Sequence, residues 1–169
     1  MKKKQSKFRN YLSLILLFMP GIAFISFIVI SYHQQYDWVA TNTSFLPWEI
    51  YLIGLAGGIA TFGGVLDWQY HRNPLELKIS KKERDAEAQA LGVGGLSMFI
   101  LMTLATLSSQ PQYFLVPILI VLLYTTTAIC YDEFVFHIHR CGKRETLYHR
   151  MLVFGNAVAW LAWINLIYA

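Results

Sequence analysis

The amino-acid sequence predicts an all-α integral membrane protein with five transmembrane helices, of which the last four form a bundle. Hydrophobic residues make up 56% of the 169 residues and charged residues only 14%, whereas a soluble domain is about 45–50% apolar and about 25% charged. The apolar residues also collect in runs of about 20, the length that crosses a bilayer as a helix. The length of the chain suits one polytopic membrane domain over 11–169, preceded by a basic cytoplasmic segment over 1–10.

Apolar composition gives the approximate limits of each predicted span. The five spans are about 11–32, 47–66, 91–108, 114–133 and 150–168. The first is longer than the apolar region of a signal peptide and is followed by no small-residue cleavage site, so we interpret it as an uncleaved span. Glycines in the second and third spans would let neighbouring helices approach closely. Tyr124 to Thr127 make the fourth span polar on one side, which suits interhelical packing or a small cavity.

Lysine and arginine residues orient the predicted helices. They are concentrated in 1–10, 67–90 and 134–149, whereas 33–46 and 109–113 contain none. Because cytoplasmic loops carry the excess of these residues, we expect the N-terminus in the cytoplasm and the C-terminus on the opposite side of an inner or plasma membrane. A basic patch can also indicate a nucleic-acid partner, but beside a span it more often sets topology, and no nucleic-acid binding is expected.

An acidic residue followed four positions later by histidine occurs three times. The pairs are Asp67 and His71, Glu133 and His137, and Glu145 and His149. Residues four apart lie on one face of a helix, so each pair can direct a carboxylate oxygen and an imidazole nitrogen to one point. These are ligands of zinc, iron and manganese. A single pair at a membrane boundary is often merely solvated, but three pairs at the cytoplasmic end favour a metal-ligand cluster, because ionisable residues in membranes are costly.

Two of the pairs flank a predicted turn. If the fourth span continues as helix to about Arg140 and turns at Cys141 and Gly142, with Gly142 in a C-cap conformation, two antiparallel helices follow. Each acid then lies level with the histidine of the other pair, and the pair of the second span can complete the site. This ligand set resembles the design of di-iron and di-manganese carboxylate bundles, which space their pairs as Glu-x-x-His. Six ligands favour two metal ions over one tetrahedral ion.

Five further residues are assigned supporting roles. Asp132 and Glu87 are candidate catalytic carboxylates that would move protons if the metal does not engage them. Arg72, Arg140 and Arg150 each directly follow a histidine. They could bind a lipid phosphate or an acidic substrate beside the metal, or they could simply anchor the cytoplasmic ends of the helices.

These residues predict a membrane metalloenzyme. Iron would favour oxidation of a hydrophobic, lipid-like or quinone-like substrate near the cytoplasmic interface, whereas zinc would favour hydrolysis, and manganese also fits the ligands. A non-enzymatic metal-binding or transport protein, or an accessory subunit of a membrane complex, is the other interpretation. Membrane lipids are expected partners, and a membrane-protein partner or a second copy stays open. The sequence has no Gly-rich phosphate loop, His-Glu-x-x-His motif or nucleophile elbow, which disfavours soluble nucleotide chemistry.

Overall fold

The computed structural model describes most of the chain after the first predicted span. The described residues are 46–71, 88–137 and 142–169, together with individual positions between 15 and 33 and Lys82, Asp85 and Ala86. All regular secondary structure within these residues is helical, which confirms the all-α class. The elements are α1 (Trp48–His71), a first π-helix (Ala88–Gly95), α2 (Leu96–Leu107), a 3-10 turn (Pro111–Phe114), α3 (Leu115–Asp132), a second π-helix (Glu133–His137) and α4 (Lys143–Tyr168).

Three helices in the described part are long and apolar enough to cross a membrane. They are Trp48–Tyr70, Pro111–Phe136 and Lys143–Tyr168, and they correspond to the second, fourth and fifth predicted spans. The third predicted span is a shorter apolar helix, Gly92–Leu107. Half of the residues in the first predicted span lie outside the described residues. A membrane protein is therefore supported, whereas the total of five spans and the bundle of the last four stay predictions.

The helices extend beyond the predicted apolar limits at the ends that carry the candidate ligands. α1 continues past residue 66 to His71, and α4 begins at Lys143 rather than at residue 150. Gly142 precedes α4 with φ −70° and ψ 160°, an extended N-cap conformation, and its carbonyl oxygen accepts a 3.0 Å hydrogen bond from the Thr146 backbone N–H. The left-handed C-cap predicted for Gly142 is therefore wrong, because this glycine begins a helix and Gly-type C-caps need positive φ.

The chain forms two compact units. The first comprises Met1–Arg72 with Leu147–Ala162, and the second comprises Asn73–Thr146 with Trp163–Ala169. Both units consist of helices whose outward surfaces are largely apolar: Leu55 in the first is 65% exposed and Leu123 in the second is 70% exposed. Exposed leucines on apolar helices are expected where the surrounding solvent is lipid, because lipid tails are as apolar as leucine.

In the first unit, glycines set the distance between α1 and α4. A Cβ built on Gly63 would lie 2.6 Å from Met151 Cβ and 2.8 Å from the Tyr148 carbonyl oxygen. A Cβ built on Gly155 would lie 2.8 Å from backbone atoms of both Ala56 and Ala60. Later residues of α1 thus meet earlier residues of α4, and the two helices pack antiparallel with nearly touching backbones, as small residues permit in membranes.

In the second unit, a hydrogen-bonded cluster joins the C-terminal part of α4 to the α2–α3 turn. Trp163 Nε1 donates to Thr106 Oγ1 at 3.0 Å, and this hydroxyl donates to the Met102 carbonyl oxygen at 2.6 Å. The Tyr168 hydroxyl donates to the Pro111 carbonyl oxygen at 2.9 Å. Met102 is fully buried beneath this cluster. The indole and phenol groups, which water would otherwise satisfy, thereby find partners within the protein.

Candidate metal-binding residues

In the first unit, the acid–histidine pair of α1 lies where α1 packs against α4. Asp67 follows Gly63 by four residues and therefore shares the helix face that contacts α4. The Tyr70 and Tyr148 rings meet edge to face, with centroids 6.4 Å apart. Because His149 follows Tyr148 directly, Asp67 and His149 belong to the same end of this helix pair.

Asp67 and His149 are partly inside the protein. Asp67 Oδ1 and His149 Nε2 have no contact with solvent, and both residues interact with the surrounding protein. Arg150, the next residue of α4, is exposed. A carboxylate or imidazole that merely faced water would keep its polar atoms accessible, so these two side chains do not have the environment of a solvated surface pair.

In the second unit, two carboxylates are buried more deeply than any other described acidic side chain. Glu145 is 1% exposed and Asp132 is 3% exposed, whereas Glu133 is half-buried. All three interact with other groups of the protein. Removing a carboxylate from water is costly unless hydrogen bonds or a cation compensate. Asp132, predicted from sequence only as a supporting residue, is thus more enclosed than the predicted ligand Glu133.

The Glu133–His137 pair forms a π-helix rather than the α-helix that its spacing predicts. α3 ends at Asp132, and the following five residues, Glu133–His137, are π-helical. The Tyr131 and Phe136 rings make an edge-to-face contact across this change, with centroids 5.8 Å apart. π-helical turns are rare and occur frequently at functional sites, because they change the direction of side chains within a helix.

Several predicted residues cannot be placed. The side chains of His71 and His137, and the residues Arg72, Glu87 and Arg140, lie outside the described part of the chain. Among the side chains that are described, no three His, Cys, Asp or Glu residues are grouped so that they could hold a metal ion. The six-residue ligand set therefore stays a prediction, with Asp67, Glu133, Glu145 and His149 as the members whose surroundings are known.

Sequence reasoning overlooked the aromatic contact beside the ligands. The dipeptide Tyr–His occurs at 32–33, 70–71 and 148–149, and the tyrosines of the last two are the residues whose rings meet. This repeated dipeptide was the available signal, since equivalent neighbours on two antiparallel helices can lie side by side.

No family model, curated protein or solved structure matches the chain. The functional argument therefore starts from the chemistry of its own residues.

Proposed function

We propose that the chain is a membrane-embedded metalloprotein whose three acid–histidine pairs hold two metal ions, and that it is an iron-dependent oxidoreductase. The observation that carries the proposal is the burial of carboxylates in otherwise apolar helices, with Glu145 1% and Asp132 3% exposed. An anionic group in such surroundings is stable only with a compensating cation or hydrogen bonds. Groups of the protein already interact with both carboxylates, and bound metal ions would add to that compensation and would also engage the adjacent histidines.

The choice of iron follows from the type of ligand. Mixed carboxylate and imidazole ligands suit redox-active iron, which supplies oxygen activation when bound. Asp132, enclosed beside the half-buried Glu133, would hold or move a proton near the substrate. The exposed Arg150 would bind a lipid phosphate or an acidic group of the substrate. The substrate would be a hydrophobic, lipid-like or quinone-like molecule that enters from the bilayer.

The proposal includes the arrangement of the chain in the membrane. Five spans, with the basic N-terminus in the cytoplasm and the C-terminus on the opposite side, would put the three acid–histidine pairs at the cytoplasmic end. This orientation is supported by the lysine and arginine residues in 67–90 and 134–149 and by their absence from 33–46 and 109–113.

Elemental mass spectrometry of protein purified in detergent without added metal tests the proposal directly. We expect about two irons per chain, and loss of iron from the Glu145→Gln/His149→Ala variant while its helicity and monodispersity are kept. Glu49→Gln is the matched control, because Glu49 is also a buried acid but lies in the first turn of α1, far from Asp67 in the last turns. This control should keep its iron.

Other results of these measurements would support one of the alternative functions instead. About one or two zinc ions that depend on Glu145 and His149 would replace oxidation by metal-assisted hydrolysis or a structural role. Metal-dependent flux through vesicles would indicate transport. A well-folded protein without metal would refute the metalloprotein and leave an accessory subunit of a membrane complex as the better description.

A further inference from the structure

A cleft of about 240 Å³ lies within the second unit, on the face of α3 next to the first π-helix. Its lining residues are Ala86, Gln89, Tyr124, Thr127, Ala128 and Tyr131. Tyr124, Thr127 and Tyr131 follow one another at intervals of three and four residues and therefore share one face of α3. The two alanines leave the space that the two phenol groups border.

The cleft extends from the middle of an apolar helix towards the C-terminal end of that helix. The apolar helix Pro111–Phe136 is 26 residues long, and Tyr124 is at its midpoint. Tyr124 is 42% exposed and Tyr131 is 55% exposed, so both side chains reach the surface that α3 presents outward. Hydrocarbon offers no water to a phenol at the middle of such a helix, so the Tyr124 hydroxyl needs a partner of another kind.

The polar side chains of the cleft differ in whether they form hydrogen bonds within the protein. Thr127 Oγ1 donates to the Leu123 carbonyl oxygen at 2.8 Å. Within the part of the chain that the structure describes, no hydrogen bond reaches the Tyr124 hydroxyl or the Gln89 amide. No hydrogen bond reaches the Tyr131 hydroxyl within the same described residues either. Two phenol O–H groups and one amide N–H₂ are therefore available to a bound molecule, and the amide oxygen can also accept a hydrogen bond.

The chemistry of the lining defines the ligand. None of the six lining residues carries a charge, so an anionic or cationic headgroup would lose its hydration without compensation. The volume is below the roughly 300–1,000 Å³ of pockets that enclose a drug-sized molecule, which limits the cleft to a single small headgroup. Two phenol rings favour a flat ring that can stack against them. Exposed apolar residues of the same helix, such as Ile120 and Leu123, can accompany an alkyl tail.

We propose that this cleft binds the uncharged, carbonyl-bearing ring of a quinone-like hydrophobic molecule, whose tail lies in the bilayer. The Tyr124 hydroxyl and the Gln89 amide donate to the ring oxygens, and the Tyr131 ring borders the flat face. The cleft contains none of the predicted metal ligands. Quinone binding in the cleft therefore goes beyond the proposed metal site and can be tested separately from it.

Isothermal titration calorimetry in detergent, with decyl-benzoquinone as the probe, tests the inference. We expect saturable binding to the unmodified protein and at least tenfold weaker binding to the Tyr124→Phe/Gln89→Leu variant, which removes the two donors assigned to the ring oxygens with little change of shape and leaves the Tyr131 hydroxyl in place. Ala128→Leu, which fills the cleft, should weaken binding similarly. Tyr51→Phe is the matched control, because Tyr51 is 57% exposed but lies in the first unit, and it should bind normally.

Two further probes and one variant show whether binding depends on the carbonyl groups, on an uncharged headgroup or on the metal ligands. Decylbenzene, which keeps a flat six-membered ring and the same tail but has no carbonyl groups, should bind at least tenfold more weakly than the quinone. Equal binding of the two, or equal quinone binding by all variants, would overturn the proposal. Tighter binding of decyl phosphate would overturn the uncharged headgroup. The Glu145→Gln/His149→Ala variant should keep its quinone affinity, and loss there would overturn the independence of the cleft from the metal ligands.

Discussion

Gly63→Ala should separate α1 from the part of α4 in the first unit and destabilise the protein. The added Cβ would lie 2.6 Å from Met151 Cβ, 2.8 Å from the Tyr148 carbonyl oxygen and 2.9 Å from the Leu152 backbone nitrogen. These distances are about 0.5–0.8 Å below 3.4 Å, where ordinary van der Waals contact begins. Two of the atoms are backbone and the third is a Cβ, so no side-chain rotation relieves the overlap. Overpacking of this kind costs about 1–3 kcal/mol.

Gly58→Ala is the matched control for this change. Gly58 lies in the same helix, five residues before Gly63, and a Cβ there would meet no atom within 4 Å. The same substitution should therefore be neutral or stabilise the protein by up to about 1 kcal/mol, because alanine restricts the backbone of the unfolded chain more than glycine does. The two variants are expected to shift the unfolding free energy in opposite directions.

Reversible unfolding in mixed micelles, followed by circular dichroism, measures both variants against the unmodified protein. Equal stability of Gly63→Ala and Gly58→Ala, or a more stable Gly63→Ala variant, would refute the close packing inferred at this glycine. Metal content measured on the same samples adds a second result. Because Asp67 lies one turn beyond Gly63 on the same face, Gly63→Ala should also weaken metal retention, whereas Gly58→Ala should leave it unchanged.

Two more substitutions probe packing in the second unit. Gly94→Ala would place its Cβ inside the Thr125 side chain and should destabilise the protein by about 1–3 kcal/mol. Adding Thr125→Ala to that variant should restore much of the loss, and Gly92→Ala, with open space around it, should cost little; thermal unfolding of these three variants measures the differences. Trp163→Phe removes the 3.0 Å hydrogen bond to Thr106 together with part of a buried ring. The bond itself should contribute about 0.6 kcal/mol, typical of interhelical hydrogen bonds in membranes, measured as the coupling between Trp163→Phe and Thr106→Val in a double-mutant cycle; the absence of coupling would contradict a role for that bond.

The apolar spans could be predicted from sequence because bilayer thickness fixes their length, whereas the ends of the helices could not. The second predicted span stops at residue 66, the last of its apolar run, but α1 continues through Asp67, Trp68 and Gln69 to His71. Helical backbone hydrogen bonds do not require apolar side chains, so a composition-based limit underestimates the helix. The added turn carries the candidate ligands.

The two π-helices had no sequence signal. The first spans Ala88–Gly95, where Gly94 lies against the Thr125 side chain, and the second spans Glu133–His137. An added residue in a helical turn depends on what packs against that turn and not on a periodic pattern. Spacing could therefore predict that Glu133 and His137 share a face, but it could not predict the backbone that presents them.

The acidic and basic residues at the start of α4 differ in burial. Glu145 is 1% exposed, whereas Lys143, Arg144 and Arg150 are exposed. The acid and the bases of one helix end thus have opposite environments, as expected if the bases anchor the helix at the membrane surface and the acid serves an internal site. A solvated charged end would leave the glutamate as accessible as its neighbours. Glu145, which interacts with other groups of the protein and has His149 one turn later, is therefore the acid of this segment that the proposed metal site would use.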